Sequence, residues 1–452
     1  MTDSRTRRPA RSRPERSPRG ESGKPATRPG SGRPGGTQPA RPGRSRHQRP
    51  TQAVPELIFD NLKIERIVGD GLGLGFEEDG LAVFVPRTAP GDIVRARVTR
   101  RQGKVFHAAI EEIIAPSPMR VEPRVADYDA SGGLDFMHIR YEDQVAIKGA
   151  IISDALRRIA KLDPVPAVEV VPSENPWHYR SRAEFQIDQK SGAIGYFAGS
   201  SHRVVDIEES PVLTLETQAL LTTLRDDFAA GLVPKSASEY RAVTGDTGSV
   251  LEQTASPKSR QLMREVGGEL YRYSGECFFQ ANIGVTNDLL TEVVRIAEEA
   301  TTDDGIALDL YCGVGLFSIP LARRFRRVVG VEAFGPAISF AEENLAHAGL
   351  KNGRFVEAPV EHWLAGDRSP LGKIALAVFD PPRSGAGKET LEHLVRLKPA
   401  HIAAVSCDPA TFARDLHDLT QLGYEVMSVR GFDMFPQTHH VEIVAHLQAR
   451  PN

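Results

Sequence analysis

The sequence predicts a multidomain chain whose largest part is a doubly wound, mainly parallel α/β domain over 265–452. Before it come a disordered basic tail (1–52), a small closed β-barrel (53–117) and an α+β central module (118–264). Three observations carry this division. The first 50 residues are Arg, Pro, Gly and Ser with almost nothing apolar. The stretch from 55 to 115 is a series of short apolar runs broken by turn signals. From 283 onward, strand-like and helix-like runs alternate strictly, the mark of a parallel sheet with crossover helices.

The tail holds 14 Lys and Arg against 3 Asp and Glu, an excess of +11 in a chain whose net charge is −3. The remaining residues therefore carry −14. A segment of this composition cannot bury a core and is expected to be disordered. It reads either as a solubilising extension or as a tethered cationic arm that attracts polyanions by releasing their counterions.

The barrel rests on LKIERIV, LAVFVP and DIVRARVTRRQGKVFHAAIEEII, with breaks at GDGLGLGF and PRTAPGD. Five or so such strands close into an oligonucleotide-binding type of barrel, although an SH3-like barrel has the same pattern. In the central module, EDQVAIKGAIISDALRRIAKL (142–162) has helical spacing, and TLETQALLTTLRDDFAAGL is a helix among strands such as RSRAEFQID and AIGYFAG.

Composition sets limits on function. Hydrophobic content of 40% and charged content of 25% fit a globular protein. No apolar run approaches the roughly 20 residues of a membrane span, so no membrane partner is expected. The basic start is followed by no apolar segment, so it does not read as a secretory signal. The three cysteines, Cys277, Cys312 and Cys407, are far apart and form no Cys-x-x-Cys. They exclude a disulfide framework, argue against structural zinc or any other metal site, and point to a reducing, cytoplasmic compartment. A monomer is expected.

The first strand of the α/β domain runs into LDLYCGVGLFS, with Asp309, Tyr311, Gly313 and Gly315 at the strand-to-helix turn. Glycines there let backbone approach a ligand closely. The next strand ends at Glu332, 19 residues after Gly313, where a carboxylate can hold a ribose diol. The pair argues for a nucleoside-containing cofactor. A third glycine is missing, since Ser318 follows Leu316 and Phe317, so S-adenosylmethionine is favoured over NAD. Tyr311 is either core or a wall of the cofactor pocket. Two later strands end in Asp380-Pro381-Pro382-Arg383 and Ser406-Cys407-Asp408-Pro409. Buried free cysteine is usually inert. Cys407, however, falls at a C-terminal strand tip, where open α/β sheets bind ligands.

Taken together, FFQAN (278–282), DLYCGVG (309–315), FDPPRSG (379–385), VSCDPATFARD (405–415) and FPQTHHVEIVAHL (435–447) resemble the RNA 5-methyluridine methyltransferases. The likeness runs from about residue 55 to the end. It implies that the barrel is an RNA-binding TRAM domain and the α/β part a Rossmann-like methyltransferase domain using S-adenosylmethionine. It also implies that Gln280 and Glu332 hold the cofactor, that Tyr311, Gly313 and Gly315 shape its pocket, and that Asp380 lies between cofactor and base. Cys407 matches the nucleophile and Glu442 the base, and Arg383 is a candidate for holding the uridine. Uracil carbon 5 is a poor nucleophile; thiolate addition at carbon 6 activates it, and a base must then remove the carbon 5 proton. The target base must be single-stranded or flipped out.

The sequence departs from the family in places. Many members carry an iron–sulfur cluster, but the corresponding positions here are Val125, Ser131 and Leu134. A cluster needs four ligands, so none is expected. Leu316 and Pro359 differ from the family's usual cofactor residues, and Asp408 adds a charge expected to raise the thiol pKa. By the same resemblance 135–165 packs on the catalytic domain. In NPWHYRSRAEF, Trp177 and Tyr179 are either core or base-stacking residues. The leading reading is uridine carbon-5 methylation of structured RNA, with 23S ribosomal RNA first and transfer RNA second. Cytosine carbon-5 methylation is an alternative. So is a catalytically silent RNA-binding or ribosome-assembly factor, which Leu316 and Pro359 alone would favour.

Overall fold

A computed structural model describes residues 57–125, 133–199, 201–254, 259–368 and 371–451. The basic tail expected over 1–52 and the Ser131 position lie outside these residues.

Five strands, β1 (Ile58–Val68), β2 (Leu72–Phe76), β3 (Ala82–Val85), β4 (Ile93–Gln102) and β5 (Val105–Ala115), close in the order β1-β2-β3-β5-β4. Alternation explains the closure. In IVRARVTRRQ, Val94, Ala96 and Val98 point inward while Arg95, Arg97, Arg100 and Arg101 stay outside. The barrel is tied to the following chain by buried Asp92. Its carboxylate accepts hydrogen bonds from Ala89 N and Ser117 N and pairs with Arg120 at 2.8 Å.

Helix α1 (Tyr141–Arg158) leads to strand β6 (Val168–Val171). Next comes an antiparallel sheet in the order β11-β10-β7-β8-β9. Its strands are β7 (Arg182–Ile187), β8 (Ile194–Phe197), β9 (Val204–Asp206), β10 (Glu239–Thr244) and β11 (Ser249–Gln253). Helix α2 (Leu215–Ala229), capped by Thr214, covers this sheet with Leu221 and Leu224. A hairpin of β12 (Gln261–Val266) and β13 (Glu269–Ser274) turns at Gly267-Gly268, both with positive φ as a two-residue hairpin loop requires.

The remaining elements are α3 (Ile283–Ala300), β14 (Ile306–Leu310), α4 (Ser318–Ala322), β15 (Arg327–Glu332), α5 (Gly335–His347), β16 (Gly353–Glu357), α6 (Val360–Ala365), β17 (Ile374–Phe379), α7 (Lys388–Arg396), β18 (His401–Ser406), α8 (Pro409–Gln421), β19 (Tyr424–Phe432) and β20 (Glu442–Ala449). They build one sheet in the order β16-β15-β14-β17-β18-β20-β19-β6. Strands β14 to β18 are parallel, and β20 runs antiparallel between β18 and β19. IALDL and IALAVF are buried along their whole length, as expected of strands covered on both faces. Helix α3 seals one face with Val285, Leu289, Leu290, Val293 and Ile296, each contributing about 1.5–3 kcal/mol by burial.

The structure differs from the sequence reading at β6. These four residues, read as part of the central module, pair in parallel with β19 at the edge of the large sheet. Tyr179 is core: it is 6% exposed and its hydroxyl donates to Pro436 O. It therefore cannot stack on a base. Trp177 is partly buried beneath the Arg124 guanidinium. Leu134 packs with Met137, Tyr179 and Val212, and Val125 lies against the same cluster.

Candidate active site

The sheet register assembles the site. Strands β14 and β17 pair Leu310 with Phe379, so Tyr311 and Asp380 emerge side by side at the C-terminal edge. Strands β18 and β20 pair Ser406 with Ile443. Continued by one step, the antiparallel ladder places Cys407 opposite Glu442, the geometry that brings side chains closest.

On the cofactor side, the loop after β14 turns sharply at Tyr311, Gly313 and Gly315, with φ of 64°, 51° and 90°. Glu332 braces it by accepting from Gly313 N at 3.2 Å and Phe334 N at 2.9 Å. Tyr271 donates to Leu316 O, and Asn344 donates to Val314 O, each at 3.0 Å. A small cavity is lined by Gln280, Tyr311, Gly313, Leu316 and Asp380. Gly315 does not line it. It lies beneath the loop, where an added Cβ would come within 3.5 Å of Ala341. Pro359 is exposed at the start of α6, outside the cavity.

These residues fit a nucleoside-bearing cofactor on two counts. Gln280 Oε1 is buried with no hydrogen-bond partner, and a buried polar atom demands one. Open space lies where a Cβ would project from Gly313. Asp309, fully buried below the loop, is pushed up to about 7 by burial and by the Asp380 and Glu332 charges, although Ser318 donates to it.

On the chemical side, Cys407 is half-buried, whereas Cys277 and Cys312 are buried. Burial, then the Glu442 carboxyl, pushes the Cys407 thiol up to about 12; Arg383 opposes this and Asp380 adds to it. Asp408 is turned away. Its side chain caps α8 by accepting from Thr411 N at 2.7 Å. The rise expected from Asp408 therefore comes from Glu442 and Asp380 instead. Burial and the neighbouring Asp380 charge raise Glu442 as well, again opposed by Arg383. Two carboxyls that disfavour each other's charge ionise in sequence, not together.

Arg383 is exposed and lines two clefts, one of which holds Cys407. One lies between the barrel turn at Gly69-Asp70, helix α1 and Cys407. The other runs along the central module past Arg180, Arg182, Phe197, Phe278 and Phe435. His440 borders both. Burial, then the His439 and Arg383 charges, lowers it to about 3, so it is a neutral imidazole. Asp135 accepts from both the backbone and Nδ1 of His439, at 3.0 and 2.7 Å. Sequence reasoning missed Asp135, His439 and His440; the only signal was the His-His pair just before Val441-Glu442.

The loop carrying these groups is anchored to α1. Lys148 forms a fully buried ion pair with Asp433 and donates to Phe435 O. Gln144 Nε2 donates to Gln437 Oε1, Phe136 O and Ile139 O, and Gln144 Oε1 accepts from Gln437 N.

Residues 260–450 match the model of a family described as tRNA (uracil-5-)-methyltransferase. An RNA methyltransferase of uncharacterised specificity from Aquifex aeolicus is 31% identical, covering 86% of this chain and 98% of its own. The 23S rRNA (uracil(1939)-C(5))-methyltransferase RlmD of Pseudomonas putida is 30% identical, covering 88% and 96%. Among solved structures, the Pyrococcus abyssi tRNA (uracil-54, C5)-methyltransferase, in complex with S-adenosyl-L-homocysteine, superposes with a TM-score of 0.65 at 25% identity, covering 85% and 99%. Matched at both the sequence and the fold, this chain belongs to the RNA (uracil-5-)-methyltransferase family and is an S-adenosylmethionine-dependent enzyme.

Proposed function

We propose that the enzyme methylates carbon 5 of a uridine in 23S ribosomal RNA through a covalent Cys407–uracil adduct, with Glu442 as the base. The observation that carries the mechanism is the facing of Cys407 and Glu442 across β18 and β20 beside the cofactor loop. Gln280, Tyr311, Gly313, Glu332 and Asp380 would hold S-adenosylmethionine, with Gly315 shaping the turn. When bound, the cofactor supplies an electrophilic methyl group. The Cys407 sulfur adds to uracil carbon 6, which places carbanion character on carbon 5. After carbon 5 is methylated, Glu442 removes its proton, and the sulfur–carbon bond breaks to release thiolate. Arg383, exposed over the thiol, favours the ionised sulfur and is placed to hold the uridine. The ribosomal target rests on the relatives of full-length likeness that are named for 23S RNA.

The test is release of tritium from RNA labelled at uridine carbon 5, using ribosomal and transfer RNA fractions from cells lacking the gene. Cofactor-dependent release from the ribosomal fraction is expected. C407A should abolish it, and E442Q should accumulate a protein–RNA adduct seen as a shifted band on a denaturing gel. Full methyl transfer by C407A would refute the adduct, and release from the transfer RNA fraction alone would move the target.

A further inference from the structure

A second basic cavity lies on the face of the sheet covered by α6, far from the chemistry. It has a volume of about 420 Å³ and is lined by Arg327, Arg354, Arg368, Asp367, Trp363 and apolar sheet residues. Arg327 and Arg354 rise from the adjacent strands β15 and β16, where Val329 pairs with Arg354. Among the described residues neither has a carboxylate within ion-pair distance. Arg368 is built in. Its Nε donates to Trp363 O at 2.8 Å, its Nη1 donates to Asp367 O at 3.2 Å, and its guanidinium lies 4.6 Å from the centre of the indole ring. Gly366 makes room for this fold-back, since a Cβ there would come within 2.8 Å of Nη2.

Three guanidinium groups around one concavity, with Asp367 the only carboxylate in its lining among the described residues, repel one another, and an anion between them relieves this. Guanidinium forks match the oxygens of phosphate. The one aromatic face is buried and covered by Arg368, so no base can stack there. The site is therefore suited to a phosphodiester and blind to sequence. Arg327 opens the strand that Glu332 closes, so at about 3.3 Å per residue the cavity lies roughly 16 Å from the cofactor edge.

We propose that this cavity grips the backbone of the RNA substrate at a point remote from the target uridine, reached only by an RNA long enough to pass around the sheet edge. The proposal rests on the reading of the enzyme as acting on structured RNA. A second contact of this kind raises affinity through local concentration without touching the chemistry.

The test compares the full chain with R327E/R354E for binding to a 23S ribosomal transcript and to an oligouridylate of about 12 nucleotides, a length that fills a single cleft. The double variant should bind the transcript about tenfold more weakly, and its plot of log affinity against log salt should be shallower by about 1 to 2. Its affinity for the oligouridylate and its melting temperature should not move. R354Q, a milder change at an exposed position, should fall between parent and double variant. Unchanged transcript affinity and salt slope would overturn the proposal, as would an equal loss for both RNAs. Displacement of the transcript by micromolar uridine monophosphate, from the parent but not the variant, would reassign the cavity to a free nucleotide and also overturn it. If the parent binds the transcript but does not methylate it, the ribosomal target falls while the binding comparison still decides the arginine site.

Discussion

Cys407, the proposed nucleophile, rests in its weak form. A thiol pushed up to about 12 by burial and by Glu442 is protonated at neutral pH. Glu442, pushed up to about 8, is likewise mostly protonated below that pH, although it must be ionised to act as a base. Both groups gain their active form as pH rises. At a saturating cofactor concentration, kcat/KM should climb by about a hundredfold per pH unit below about 8, where both groups must lose a proton, and by about tenfold per unit above it, where only the thiol must. A flat profile from pH 6 to pH 8 would sink this assignment. Arg383 opposes both shifts, so R383Q should slow alkylation of Cys407 by iodoacetamide several-fold at fixed pH. Mass spectrometry can follow this site alone, because Cys277 and Cys312 are buried. The sequence singled out Cys407 and the cofactor loop by their strand-tip positions, whereas Glu442 was named only through the family resemblance. The direction of the Asp408 side chain had a local signal that sequence reasoning missed: Asp followed by Pro at the start of a helical run marks a helix cap. The Asp135–His439 pair was hidden for another reason, since 304 residues separate its members.

The elements that hold the site share this non-local character. Strand β6 is only four residues long, and its sequence, VEVV, fits either sheet. Pairing with β19 is decided by α1, which packs beside both strands. The same helix supplies Lys148 to the buried pair with Asp433. Removing one member of such a pair strands the other charge in the interior. K148M should cost about 3–5 kcal/mol in urea unfolding, and adding D433N should recover part of this loss. An unchanged midpoint for K148M would show that the pair is dispensable. By contrast, the strands from β14 to β18 were legible, because buried parallel strands read as continuous apolar runs, whereas the six-residue helix α6 was too short to show a helical period.

In the whole molecule, the two clefts that share Arg383 and His440 are walled by three parts of the chain: the barrel turn, the central sheet and the catalytic strands. The alternation in β1 to β5 announced a closed barrel, but not that its Gly71 sits against Asp135 and His439 beside the chemistry. Gly71 has φ of 69°, and an added Cβ would approach His439 within 2.9 Å. G71V should therefore lower kcat through the displaced histidine while leaving cofactor affinity, measured by calorimetry, unchanged. Loss of cofactor binding instead would mean that the barrel supports the whole catalytic domain. Deleting residues 1–50, with 14 basic side chains, should weaken RNA binding most at low ionic strength. Equal affinity across a salt series would leave the tail without a role in binding.

The anchoring of the 433–440 loop to α1 bears on how the enzyme comes to life during synthesis. The stretch 260–450 contains Cys407, Glu442 and the loop after β14, but not Gln144 or Lys148. A ribosome makes the helix first and the loop almost 300 residues later. Until then Lys148 lacks Asp433, Gln144 lacks its bonds to Gln437, and β6 has no strand to join. A product of translation that stops before this loop would carry Cys407 and the cofactor loop but neither the proposed base, Glu442, nor the residues that fasten the loop to α1.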